Sequence, residues 1–279
     1  MKWNIICDSS CDLYHLENLS RDTRFSIAPL KIIVGEKEFT DDETLDVKAL
    51  INAMSTHKGT ISTACPSTFD WATEFEKADY SIAICISSHL SGTYNSALVA
   101  KDMILERYPE KKIHVIDSRS TSGTMVLLAR KLNELIGQGK VFEEVVNEIE
   151  QYNHTMQLTF CLSNYSNLVK TGRMSAFKGA VASALGIRAV SMKSPKGEIQ
   201  VLSKQRGDNN TYKYMVNQMA SLKDLKKCHI VISHCMNADG AYKVKNLLKE
   251  LYDAVDVEVI ETKGLCSFYA NVGGILVSY

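Results

Sequence analysis

Apolar positions along this chain follow two rhythms. Short β-branched runs, WNIIC (3–7), FSIAPLKIIV (25–34), YSIAICIS (80–87) and KKIHVID (111–117), read as buried strands. Between them the apolar spacing is helical. In LDVKALINAM (45–54), Leu45, Val47, Leu50 and Ile51 share one face, with Thr44 as a candidate cap. STFDWATEFEKA (67–78) follows Pro66, and SGTYNSALVAKDMILERY (91–108) and SGTMVLLARKLNELIG (122–137) are the longest helical patterns. Strand and helix in alternation predict a parallel sheet covered on both faces.

The second half changes character. FEEVVNEIEQYN (142–153) reads as a helix, QLTFCLS (157–163) as a strand and SNLVKTG (166–172) as a short helix ending at Gly172. AFKGAVASALGI (176–187) reads as a small-residue helix. AVSMKSPKGEIQVLSKQ (189–205) is two strand-like runs around Pro195-Lys196-Gly197, a hairpin signal. A helix over 212–222, a strand over 228–234, a helix over 241–252 and strands over 255–261 and 273–279 complete a mixed α/β pattern. The expected organisation is two α/β domains, 1–155 with a parallel sheet and 156–279 with a mixed one.

The chain has 279 residues, enough for two domains of ordinary size. Lysine plus arginine number 32, equal to aspartate plus glutamate, so no global basic surface draws it to nucleic acid or anionic lipid. No run approaches the ~20 apolar residues that span a bilayer. The N-terminus MKWNIICDSSCDL lacks the long apolar core of a signal peptide, so a cytoplasmic protein with at most transient membrane contact is expected. Eight cysteines, several in strand-like runs (Cys7, Cys85, Cys161, Cys228), then read as reduced, small hydrophobes.

Candidate chemistry gathers at strand ends. WNIIC runs into Asp8-Ser9-Ser10, the third strand into Ser87-Ser88-His89-Leu90-Ser91-Gly92-Thr93, and KKIHVI into Asp117-Ser118-Arg119-Ser120. Thr60 to Ser67 adds further hydroxyls. In a parallel sheet these turns share the carboxyl edge, where ligands bind. Each turn singly reads as helix capping. Together they offer donors beside helix N-termini, which suits an anion. No lysine or arginine falls inside ISSHLSGT, so a singly charged carboxylate fits better than a polyphosphate.

Other chemistries lack their motifs. The chain has no phosphate-cradling G-x-x-x-x-G-K-[ST] or G-x-G-x-x-G and no G-x-S-x-G elbow. Asp8 to Asp12 faintly suggests a Mg²⁺ site, but a cap explains it better. His229, His234 and Cys235 lack zinc-site spacing, so neither metal nor cofactor is expected. A serine hydrolase or phosphotransferase using Ser91 with His89 is the alternative activity, although nothing in the sequence orients His89. A third reading is an interaction protein with a basic surface of Lys170, Arg173, Lys178 and Arg188.

These residues carry a family resemblance. The chain resembles, nearly end to end, the DegV family, the fatty-acid-binding subunits of bacterial fatty acid kinase systems. Asp8-Ser9-Ser10 matches the family's opening motif, and Asp117-Ser118 a later strand end. Thr63-Ala64-Cys65-Pro66-Ser67 is similar to its T-S-Q-P-S turn, and Ser88 to Ala97 to its S-S-x-L-S-G-T-Y-x-S-A stretch. Leu168 to Ser175, with Lys170-Thr171-Gly172-Arg173, followed by Gly186-Ile187-Arg188, resembles its second-domain signature. The resemblance implies a non-catalytic protein with an apolar tunnel between its two domains, holding a long-chain fatty acid. Thr63 and Ser91 would donate to the carboxylate, Arg173 would contact a separate kinase, and that kinase would make the acyl phosphate. Phe177, Ala180, Val181, Ala184 and Leu185 are candidate tunnel walls. Ala64 and Cys65 depart from Ser-Gln. Tyr269 stands where many members have a carboxylate-binding histidine, and its hydroxyl could still donate.

Overall fold

The computed structural model describes residues 2–174 and 186–279. The first half builds a four-stranded parallel sheet in the order β2-β1-β6-β7. Its strands are β1 (Trp3–Asp8), β2 (Thr23–Ala28), β6 (Tyr80–Cys85) and β7 (Lys112–Asp117). Ile5, Ile6, Ile82, Ala83 and Ile84 are fully buried, as expected of central strands covered on both faces. The covering helices are α2 (Thr68–Glu76), α3 (Thr93–Arg107), α4 (Gly123–Gly137) and α5 (Phe142–Thr155). Ser67 and Asp70 cap α2 reciprocally, which fixes its start just after Pro66.

A second, three-stranded antiparallel sheet joins β3 (Lys31–Val34), β4 (Lys37–Thr40) and β5 (Ile61–Ala64), with β3 in the middle. It corrects the single strand expected over 25–34. Pro29 has no N–H to continue a ladder, so the run divides there. β2 stays in the parallel sheet and β3 enters the second one. Helix α1 (Val47–Thr56) packs on this sheet through the buried Leu50. Its cap is Asp46, which accepts from the N–H groups of Lys48 and Ala49, rather than Thr44, whose hydroxyl donates to Asp42.

The second half forms a six-stranded mixed sheet in the order β10-β9-β8-β13-β11-β12. The strands are β8 (Leu158–Leu162), β9 (Ile187–Lys193), β10 (Ile199–Arg206), β11 (Ile230–His234), β12 (Val257–Glu261) and β13 (Ile275–Ser278). β9 and β10 make the expected hairpin, and only β11 and β12 pair in parallel. Its helices are α6 (Ser166–Lys170), α7 (Asp208–Leu222), α8 (Ala238–Tyr252) and α9 (Gly264–Ala270). Tyr212, Met215, Val216 and Met219 of α7 and Val244 and Leu248 of α8 bury one face of this sheet.

The candidate walls Phe177, Ala180, Val181, Ala184 and Leu185, and Lys178, lie outside the described residues. Ile187 is described and opens β9, so the helix expected over 176–187 does not reach it. All eight cysteines are free, and six of them are buried. Among the described residues, no helix is long and apolar enough to cross a membrane.

Candidate functional site

A cavity lies between the carboxyl edge of the parallel sheet and the six-stranded sheet. It encloses about 800 Å³ of empty space, its open mouth included. Its walls are mostly apolar and come from every layer: Leu30 before β3, Ile86 after β6, Leu158, Phe160 and Leu162 of β8, and Leu276 of β13. The three β8 residues alternate along the strand, so one strand face forms a continuous apolar floor.

Thr63, Ser91, Tyr269 and Arg173 all line this one cavity. Thr63 stands on the edge strand β5, opposite Ile32, and its Oγ1 shares a 3.0 Å hydrogen bond with the Tyr269 hydroxyl. The two residues are 206 positions apart. Tyr269 stands in the last turn of α9, its ring edge-on to the buried Phe268 at 4.8 Å. Ser91 precedes the N-terminus of α3, accepts from the Thr93 N–H at 3.3 Å and shares a 2.8 Å bond with Thr93 Oγ1. That places two hydroxyls at the positive end of a 15-residue helix. Arg173 Nε donates to Leu90 O at 3.1 Å and Nη1 to Thr171 O at 2.7 Å, so two carbonyls fix the guanidinium against the Ser91 loop.

Helix α9 is held from the other half of the chain. Its own cap position, Lys263, supplies no side-chain bond. The Asp41 carboxylate accepts from the N–H groups of Gly264 at 2.9 Å and Leu265 at 2.8 Å, and Asp12 accepts from that of Lys263 at 2.7 Å. Tyr14 donates a further bond to Asp41 at 3.0 Å. A Cβ on Gly264 would meet Asp41 at 2.5 Å, so only glycine admits this approach. Burial pushes Asp12 up to about 7 against the bonds that favour its charge, and raises Asp41 in the same way. Sequence reasoning missed this clamp, since the acids lie more than 220 positions from their partners.

The other strand-end acids are structural. Asp8 accepts from Ser10 and from the N–H of Ile86 at 2.7 Å, tying the ends of β1 and β6 together; burial raises it to about 6. Asp117 accepts from Ser88 and from the N–H of Arg119. His89 is exposed, and among the described residues its ring makes no bond to Ser91. His229 pairs with Asp256, His234 ends β11, and no metal-binding cluster exists among the described residues. Arg188 is engaged by Asp208 and by Gly273 O, apart from the Arg173 contacts. Arg173 and Arg188 are thus each held by separate partners.

Residues 2–279 match the family model described as uncharacterised protein, DegV family. This chain belongs to the DegV family. A DegV domain-containing protein of Streptococcus gordonii is 38% identical over 284 residues, covering 100% of this chain and 99% of its own. Among solved structures, the Streptococcus pneumoniae fatty acid kinase (Fak) B3 protein loaded with linoleic acid superposes with a TM-score of 0.96 at 37% identity, covering 100% of this chain and 99% of that one. A DegV family protein from Eubacterium eligens loaded with heptadecanoic acid gives 0.94 at 33% identity, with 99% and 98% covered. In this DegV chain the cavity lies between the layers that the sequence assigned to two halves.

Proposed function

We propose that this protein binds a long-chain fatty acid in the cavity and presents its carboxylate to a separate kinase in the cytoplasm. The observation that carries the reading is one apolar cavity with the hydroxyls of Thr63, Ser91 and Tyr269 on its wall. A buried carboxylate needs donors, and hydroxyls at a helix N-terminus supply them without another buried charge. Each buried methylene adds about 0.8 kcal/mol, so the tail supplies most of the affinity and the hydroxyls the orientation. Residues 1–155 and 156–279 act as two domains that close on the chain. Arg173, fixed beside the Ser91 loop, is the partner-facing cation. In this reading the protein does no chemistry itself, which fits the engagement of the Ser91 hydroxyl with Thr93 and the lack, among the described residues, of a histidine or carboxylate bonded to it. The fatty-acid-loaded relatives support the ligand class, and the Fak B3 likeness supports the kinase partner.

Denaturing extraction of the purified protein, followed by mass spectrometry, tests the reading. A stoichiometric fatty acid is expected. An empty extract together with failed fatty-acid titration would sink it. Turnover of acyl or phosphoryl esters by the isolated protein, abolished by Ser91→Ala, would favour the enzyme instead.

A further inference from the structure

Helix α3 opens on a threonine where its packing asks for a valine. Thr93, Ala97, Ala100 and Ile104 form its buried face, recurring at helical spacing. Ala97, Ala100 and Ile104 share one apolar core with Ile6 and Ala83 of the parallel sheet. Thr93 heads that stripe and is fully buried. A valine would fill the same space, and a hydroxyl buried there costs free energy unless it is bonded.

Among the described residues the Thr93 hydroxyl has one partner, Ser91 Oγ at 2.8 Å, and either oxygen could donate in that bond. The surroundings decide between them. If Ser91 donated, the Thr93 proton would be left in the core without an acceptor, a stranded buried donor. If Thr93 donates, its proton is bonded and the Ser91 proton is the free one. Ser91 lines the cavity and Thr93 does not. The buried hydroxyl therefore donates to the cavity-lining one.

The Ser91 oxygen is then filled from the helix side. A hydroxyl has one proton and accepts two bonds. Ser91 Oγ accepts from the Thr93 N–H at 3.3 Å and from the Thr93 hydroxyl at 2.8 Å. The Ser91 backbone N–H already donates to Ser87 O at 3.1 Å, so the hydroxyl proton is the one donor it has left for a ligand. The Thr63–Tyr269 pair differs. Both of its members line the cavity, so burial does not fix which of them donates.

We propose that Thr93 is a positioning residue for the carboxylate site: it donates to Ser91 and thereby turns the single Ser91 proton toward the ligand. This rests on the carrier reading. The bonds from Thr93 to Ser91 and from Ser91 to the carboxylate run one way, and each polarises the next, which strengthens the last. A Ser91 hydroxyl held as a donor suits an ionised carboxylate, which only accepts. The competing explanation is that Thr93 fills space and its bond to Ser91 only closes the turn before α3.

A double-variant cycle on the full chain separates the two, read by calorimetric titration with linoleic and heptadecanoic acids, the ligands of the two solved relatives. Thr93→Val keeps the shape and removes the hydroxyl; Thr93→Ser keeps the hydroxyl. Thr93→Val is expected to weaken both acids by roughly three- to tenfold, the scale of one hydrogen bond, and Thr93→Ser to stay within about twofold of the parent. In the Ser91→Ala background Thr93→Val should cause no further loss, because Thr93 acts only through Ser91. An equal loss in both backgrounds, or parental binding by Thr93→Val, overturns the positioning role. Parental binding of both acids by Ser91→Ala removes Ser91 from the carboxylate, and the role of Thr93 with it, while sparing the carrier reading. A parent that binds neither acid overturns both.

Discussion

The phenol of Tyr269 and the hydroxyl of Thr63 share one contact, so either can turn toward an anion only with the other's cooperation. Tyr269→Phe keeps the ring on Phe268 and removes only that oxygen. It is expected to weaken fatty-acid binding by roughly 1.5–3 kcal/mol, the range for a hydrogen bond to a charged group. Ser91→Ala should cost a similar amount. Titration calorimetry checks both against Glu106→Gln, an exposed position on α3. Losses no larger than that control would place the carboxylate elsewhere. Tyrosine supplies a donor but no cation. Tyr269→His should therefore add a pH dependence absent from the parent. Imidazole gains its charge as pH falls through about 6.5, so affinity for the carboxylate should rise there. Parallel affinity profiles for parent and variant from pH 5.5 to 8 would show that position 269 does not face the carboxylate.

Helix α9 is seven residues long, too short to persist alone, so its place is imposed by what holds it. Asp41→Ala strands the N–H groups of Gly264 and Leu265 and the Tyr14 hydroxyl. A loss of roughly 1–3 kcal/mol per stranded buried group is expected. Amide exchange over 264–270 should quicken while β6 keeps its protection, and fatty-acid affinity should fall through the loosened Tyr269. Unchanged exchange in α9 would refute the clamp. The same helix shows where sequence reading stops. Gly264 to Phe268 and Ala270 are all buried, so no polar face marks a helical period. β5 was hidden differently: Ile61-Ser62-Thr63-Ala64 reads as a hydroxyl turn, and only pairing with β3 makes it a strand. The buried strands of the parallel sheet were legible because covering both faces demands continuous apolar runs. Thr63 and Ser91 lay within hydroxyl-rich stretches that stood out in the sequence, but their individual roles, like that of Tyr269, emerged only from the family resemblance.

Across the whole molecule, the two halves meet over buried carboxyl groups, and this sets a pH dependence of stability. Asp8 is raised to about 6 and Asp12 to about 7, both mainly by burial, and Asp41 is raised as well. Unfolded, each would titrate near 3.9. Between about pH 4 and 7 the folded state thus holds more protons than the unfolded one, and stability falls as pH rises through that window. His234 opposes the trend: burial lowers it, so protonation of the unfolded chain below about 6.5 favours unfolding. Three carboxyls outweigh one imidazole, and the melting temperature should be higher at pH 6 than at pH 8. Asp12→Asn isolates the Asp12 contribution. Its amide oxygen can still accept from the Lys263 N–H. Its NH₂ can donate to Ser122 Oγ, which in turn donates to Ser233 Oγ at 2.8 Å. The shape and the bonds survive while the buried charge is gone. The variant should match or exceed the parent in stability at pH 8, and its melting temperature should change less from pH 6 to 8. Melting curves that run parallel across that range would mean that Asp12 does not titrate there, and that its charge is held by the Ser122, Lys263 and Cys266 contacts more strongly than burial opposes it.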